Sequence, residues 1–408
     1  MLSGESVTDL FLELVAVPSP SGRERTLGEL IGSWLSERGV SGAFDAAGAV
    51  NGSDAGNLIA TVPGDAGTET YLFVAHMDTV ESGTPPVRPC LYEDGVIRSD
   101  GQTILGADNK AAVAAVMRLC AAAAALPVAG RPTVVAAFTC REESGRMGAS
   151  LLDPSLLARV DCAFSVDGSR PIGTVITRAL GQTVFSFTVH GRAAHAAANP
   201  EAGISAVRVA AEVVAALPLG RRPGGGAASV AAIAGGSIID RLSPAAIQQL
   251  GVGPEADGPA TVTAALGAAA TNSVPDRALV RGEVRGYSVE EIEATVGLIH
   301  DAVSRVCAEH GATFDWVRDR GRMVPPFPGP GPRAMELITR AVGAVPGLSL
   351  VQEERQATLE ANYLAADTDV VAVASGGRDP HQRSESIPAA ELDRLEALLL
   401  AIVRGPAR

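Results

Sequence analysis

Short unbroken apolar runs alternate with helical patterns through the first part of the chain. Thr70 to Ala75 (TYLFVA), Thr133 to Phe138 (TVVAAF) and Cys162 to Val166 (CAFSV) have the length and continuity of buried parallel strands. Helical runs from Lys110 to Ala125 and from about Met147 to Val160 separate them. This βαβ rhythm predicts an α/β fold whose mostly parallel sheet carries helices on both faces. The opening MLSGESVTDLFLELV reads as an amphipathic helix capped near Ser6 or Thr8.

The rhythm changes after about Ile176. Strand-like Thr183 to His190 precedes a helix from about Ile204 to Leu217, then strand-like Ala278 to Val284 and a long helix, about Val289 to His310. A last strand falls near Thr313 to Val317. That order predicts a small α+β layer with helices on one face of an antiparallel sheet. Between Arg221 and Pro259 a Gly/Pro/Ala-rich stretch, with strand-like ASVAAIA and helical SPAAIQQL, reads as an insertion into it. The α/β rhythm resumes near Pro332, with a helix from Ala334 to Val342, a strand from Val370 to Ala374 and a helix from Ala389 to Ile402. The expected division is therefore a discontinuous domain, 1–177 and 323–408, holding an inserted domain, 178–322.

Composition narrows the partners. Of 408 residues 47% are hydrophobic but only 4% aromatic, so Ala, Val and Leu must fill the core. A net charge of −13 argues against nucleic acid or an anionic membrane, which both attract clustered Lys and Arg. Five cysteines without a CxxC pair point to free thiols rather than disulfides or a thiolate zinc site. The Ala-rich stretch from Ala111 to Leu126 contains Arg118 and is framed by Asp108, Lys110 and Pro127, which predicts a buried helix rather than a membrane span. No targeting signal is evident, and the cytoplasm is the expected compartment.

The polar motifs carry the chemistry. His76-Met77-Asp78, Arg141-Glu142-Glu143 and Asp167-Gly168 each follow one of the apolar runs, and His381 lies in the loop after Val370 to Ala374. Asp108 opens the helical run that follows Gly106-Ala107. Ligands of open α/β sheets bind beyond the carboxyl ends of the strands, so these motifs are expected to converge. Imidazole and carboxylate without thiolate suit zinc, cobalt or manganese at a catalytic site. Two histidines and three carboxylates can hold two ions if one carboxylate bridges, and such a pair activates water and polarises a carbonyl. A further acid is needed as base, and the adjacent Glu142 and Glu143 offer one. Asp78 stands two positions beyond His76 and can accept the second imidazole N–H. Singly, each pattern is commonplace on protein surfaces; the conjunction at strand ends is not.

His76-Met77-Asp78-Thr79-Val80, Leu105 to Lys110, Glu142-Glu143-Ser144-Gly145, Asp167-Gly168 and His381 with Glu385 together resemble the peptidase T branch of the aminoacylase / peptidase T / carboxypeptidase superfamily of dizinc hydrolases. The resemblance implies that His76 and Asp167 bind one metal, Glu143 and His381 the other, and Asp108 both. It implies that Asp78 orients His76, that Glu142 is the base, and that the Asp108-Asn109 peptide is cis. Gly191-Arg192-Ala193-Ala194-His195-Ala196 resembles the family's lid motif, whose His serves the partner subunit's site, implying a homodimer formed through the lid. Asn272 and Arg285 match the residues that hold the substrate's carbonyl and carboxylate. By contrast, His190, His300 and His310 read as structural.

Three departures stand out. Asn109 replaces a second Asp common in the family, Thr358 to Asn362 replaces its Gly-Ser/Thr-Asp-Ala-Asn loop, and the lid carries the extra stretch near 221–259. The reading is a two-metal exopeptidase for small peptides, similar to tripeptide aminopeptidases. Alternatives are an N-acyl-amino acid amidohydrolase or carboxypeptidase acting on a non-peptide amide, and a non-catalytic binding protein of the same fold. The retained acids and histidines weigh against the last.

Overall fold

A computed structural model describes residues 2–80, 85–145, 148–237, 239 and 271–404. The chain divides into two compact units, Met1–Ala179 with Phe327–Arg355 and Leu359–Arg408, and Leu180–Pro326 with Gln356–Thr358.

The first unit is built on an eight-stranded sheet. In spatial order its strands are Ser41–Phe44, Leu58–Val62, Thr133–Thr139, Thr70–His76, Cys162–Val166, Asp369–Val373, Thr174–Ala179 and Val351–Arg355. The four from Thr133–Thr139 to Asp369–Val373 run mutually parallel, and the strands at the sheet's margins mix direction. Apolar residues bury both faces. Phe73 and Phe164 stack at 5.0 Å on the face covered by the helices Val7–Val15, Ala107–Ala125 and Ala389–Arg404. Leu72, Val74 and Ala163 pack beneath Leu359 and Leu364 on the other. The Ala-rich run is a buried helix, with Ala111 to Ala115 wholly covered and Arg118 paired to Glu396 at 2.9 Å. No helix among the described residues is long and apolar enough to cross a membrane.

The N-terminal helix spans Val7–Val15 and begins at Ser6, whose side chain and that of Asp9 close a reciprocal cap. The helix expected from Met147 to Val160 does not form as one piece. Its described part is a single 3-10 turn, Ala149–Leu151, and a four-residue helix, Pro154–Leu157. Pro154 lacks an N–H and forces Asp153 out of the helical region, where its carboxylate caps Ser155.

The second unit follows a β-α-β-β-α-β order: Gly181–His190, helix Ala206–Ala216, Ala227–Gly235, Arg277–Gly286, helix Val289–Glu309 and Thr313–Val324. All its pairings are antiparallel, and the sheet order places Arg277–Gly286 and Thr313–Val324 on either side of Gly181–His190, which is ferredoxin-like topology. The stretch read as an insertion is divided. Ala227–Gly235 is an integral strand, paired along its length with Arg277–Gly286, and Gly220–Arg221 adds a short edge to it. SPAAIQQL lies outside the described residues. In Ala227–Gly235 the many small residues leave no clear alternation of apolar and polar positions. The three histidines read as structural all have partners: His190 meets Asp315 at 2.8 Å, His310 meets Glu212 at 2.5 Å, and His300 packs edge-on against Phe314 and Trp316.

Candidate metal centre

Four motifs lie at the carboxyl ends of the four parallel strands. His76 ends Thr70–His76, Asp167 follows Cys162–Val166, Glu142 and Glu143 lie just beyond Thr133–Thr139, and His381 lies beyond Asp369–Val373. Asp108 arrives from the first turn of Ala107–Ala125, where it and Asn109 leave helical dihedrals and share a cis peptide bond. Ligand atoms of His76, Asp108 and Asp167 lie within 4.8 Å of one another, as do those of Asp108, Glu143 and His381. Asp108 is common to these two groups, and a third set, His76, Glu142 and Glu143, is gathered equally closely. The Oδ1 of Asp108 is 3.2 Å from His76 Nε2 and its Oδ2 is 3.7 Å from His381 Nε2, while His381 Nε2 meets Glu143 Oε1 at 2.9 Å.

Electrostatics bind the groups together. Burial opposes charge on Asp108, yet its bond with His76 and the nearby His381 hold its pKa below the usual carboxylate value. Burial also opposes a charged His76, and the bonds with Asp108 and Asp78 outweigh it, raising that imidazole well above its ordinary value. Burial raises Glu143, with the His381 bond acting against it. Five nitrogen and oxygen donors crowded this closely, without a thiolate, fit a pair of divalent cations that share one carboxylate.

Asp78 does more than its spacing suggested. His76 Nδ1 is 3.1 Å from the Asp78 main-chain oxygen and 3.4 Å from its Oδ1. The carboxylate mainly accepts the N–H groups of Glu142 and Glu143, at 2.9 and 3.0 Å, and the Ser21 hydroxyl at 2.5 Å. It therefore sets the main chain of both glutamates. Ser21 lies 57 positions away and has no local signature, so sequence reasoning missed it. Glu360, in the altered loop, is wholly buried and accepts the Thr139 hydroxyl at 2.5 Å, and burial pushes it up to about 7. The acid of that loop thus faces the sheet rather than solvent.

Gly106 introduces Asp108 with a left-handed φ of 78°, and an added Cβ would stand 3.3 Å from Thr79 Cγ2. Gly106→Ala is expected to cost about 1–2 kcal/mol through that dihedral alone. A melting temperature unchanged from wild type in the metal-free protein would contradict this.

In the second unit His195 is exposed, and its Nδ1 accepts the N–H groups of Ala197 and Ala198 at 3.2 and 3.1 Å. That assigns the ring proton to Nε2, which is left to donate outward. Asn272 lies beside it, its main-chain oxygen accepting from Ala196 N at 2.9 Å. Arg285 stands elsewhere, eight positions along the strand from Arg277, roughly 27 Å of extended chain. Its guanidinium meets Glu283 at 2.8 Å. The second unit therefore brings His195 and Asn272 together and keeps Arg285 apart.

A family model described as Peptidase family M20/M25/M40 matches residues 72–405. The chain belongs to that family. Across its whole length it is 28% identical to the whole of the uncharacterized protein YqjE of Bacillus subtilis. Its fold matches the aminopeptidase PepT of Bacillus cereus with a TM-score of 0.80 and 29% identity, covering 98% of each chain. A tripeptidase of Staphylococcus aureus matches with a TM-score of 0.81 and 25% identity, over 99% of this chain and 98% of the other. The peptidase T resemblance read from the motifs holds, and this M20/M25/M40 member is a metal-dependent exopeptidase.

Proposed function

We propose that the chain removes a terminal residue from small peptides, as a tripeptide aminopeptidase, using two divalent metal ions, with zinc the first candidate and cobalt or manganese the others. The observation that carries this reading is the pair of three-donor groups sharing Asp108 at the ends of four adjacent parallel strands. His76 and Asp167 would hold one ion, Glu143 and His381 the second, and Asp108 both. The ions, when bound, supply Lewis-acid polarisation of a carbonyl and activation of water. Glu142 takes a proton from the attacking water and returns it to the departing amine. Asp78 holds Glu142 through its main chain.

His195 of one copy would donate from Nε2 to an oxyanion developing in the partner subunit's site, and Asn272, its neighbour in the chain's second unit, would hold an adjacent carbonyl. We assign Arg285 to the substrate carboxylate, since a guanidinium fork suits that group. Because one unit keeps it apart from His195 and Asn272, the two sets would come from different copies, and Arg285 would exchange its Glu283 partner for the substrate. The second unit acts in this reading as a lid through which two copies form a homodimer. The five cysteines, all free, agree with a cytoplasmic location.

Hydrolysis of an unblocked tripeptide, its C-terminal amide and an N-acyl amino acid tests the reading. The wild type is expected to prefer the free tripeptide, and Arg285→Ala to lose the preference for acid over amide. Faster cleavage of the N-acyl amino acid would instead make the chain an amidohydrolase.

A further inference from the structure

Asp108 must face two groups of donors at once, and two side chains anchor its short segment from opposite directions. One is Asn109. Its Nδ2 donates to the Val166 main-chain oxygen at 2.7 Å, directly before Asp167, while its Oδ1 is buried without a partner among the described residues. The amide thus has one bond, and that bond ties the Asp108 segment to the strand end carrying Asp167. The other is Glu385, only 1% exposed. Its Oε1 accepts the Asp108 N–H at 2.9 Å and its Oε2 the Gly106 N–H at 2.8 Å.

Glu385 belongs to the excursion that carries His381. The base of that excursion is closed by Arg378 and Ser386, which exchange N–H···O bonds of 2.8 and 3.1 Å, and the Glu385 N–H donates to the Gln382 oxygen at 2.9 Å. His381 itself sits in the left-handed region, with φ of 64°. The loop is therefore a closed unit, and the Glu385 carboxylate connects it to the main chain on either side of Ala107. Hydrogen bonds from two N–H groups to one buried carboxylate are charge-assisted and directional.

We infer that Glu385 and Asn109 are positioning residues with divided duties: Glu385 sets Asp108 against His381 and the second metal, and Asn109 sets it against Asp167 and the first. Neither would be a metal ligand, since their bonds run to main-chain groups. Each sets the distance between the shared carboxylate and one set of terminal ligands. Breaking one strut leaves the other in place, so one site should loosen while its neighbour keeps its ligands. Groups that support metal ligands in this way typically contribute about 10–100-fold in metal affinity.

The inference rests on the two-metal reading, and the experiment separates the two. Zinc is titrated into metal-free wild type, Glu385→Gln and Asn109→Ala, with calorimetry for stepwise affinity and imidazole nitrogen NMR for site identity. His76→Ala and His381→Ala assign the two signals. Glu385→Gln retains size but presents an amide N–H₂ to one main-chain N–H, so one bond is lost; Glu385→Asp, which keeps the charge on a shorter arm, is expected to recover part of the affinity. In Glu385→Gln the His76 signal should shift at the first equivalent, and His381 should require about 10–100-fold more zinc. In Asn109→Ala that order should reverse. Melting of the metal-free variants checks that each is folded. Equal weakening of both sites in either variant, or unchanged stepwise affinities, would overturn the division of duties. Fewer than two zinc ions on the wild type would instead overturn the two-metal reading itself.

Discussion

Glu142→Gln should lower turnover by at least ~10²-fold while leaving the bound metal unchanged, the loss expected for removal of a general base. Gln has nearly the same size, and the bond that holds this residue, its main-chain N–H to Asp78 Oδ1 at 2.9 Å, survives the exchange. Only the ability to accept a proton disappears. Glu143→Gln should behave differently, because its carboxylate faces His381 at 2.9 Å within the Asp108, Glu143 and His381 group. It should lose metal along with activity. The two variants are compared by steady-state kinetics and by plasma emission spectroscopy on zinc-reconstituted protein. Metal loss in Glu142→Gln with full retention in Glu143→Gln would mean that the two glutamates have exchanged roles.

The second large effect is expected from Asp108→Ala. Two of the three-donor groups share this carboxylate, one oxygen turned to His76 and the other to His381. Removing it takes a ligand from both sites, so neither ion should be retained at stoichiometric zinc. His381→Ala removes a donor from one group only and should leave about one equivalent bound. The contrast matters more than either number, because a general loss of folding would empty both variants alike. Two equivalents retained by Asp108→Ala would dismiss the shared carboxylate.

Much of the catalytic sheet was legible in advance. TYLFVA, TVVAAF and CAFSV are continuous apolar runs because parallel strands buried on both faces have no polar side to display. They became Thr70–His76, Thr133–Thr139 and Cys162–Val166, each extended by no more than one residue. The marginal strands were not seen. Ser41–Phe44 is largely exposed and Val351–Arg355 is mostly charged, so neither carries an apolar run. The stretch from Met147 to Val160 had enough Leu and Ala to suggest one helix, but Asp153-Pro154 imposed a stop that overrides propensity. Ala227–Gly235 was read as part of an insertion because small residues conceal which face is buried.

The kinds of donor, their absence of thiolate, and their position after apolar runs were determined by the sequence alone. So was the α/β class, since periodicity is local and needs no knowledge of what packs beside it. Tertiary structure decided which groups meet. His76 and His381 come within reach of one carboxylate because the sheet order sets Thr70–His76 and Asp369–Val373 on either side of Cys162–Val166, an order no local propensity encodes. The same holds for the supporting bonds. Gly106 meets Glu385 across 279 positions, and Asp78 turns its carboxylate to Glu142 across 64. A hydrogen bond depends on distance and direction between atoms, and the chain between two such partners leaves no periodic trace of either.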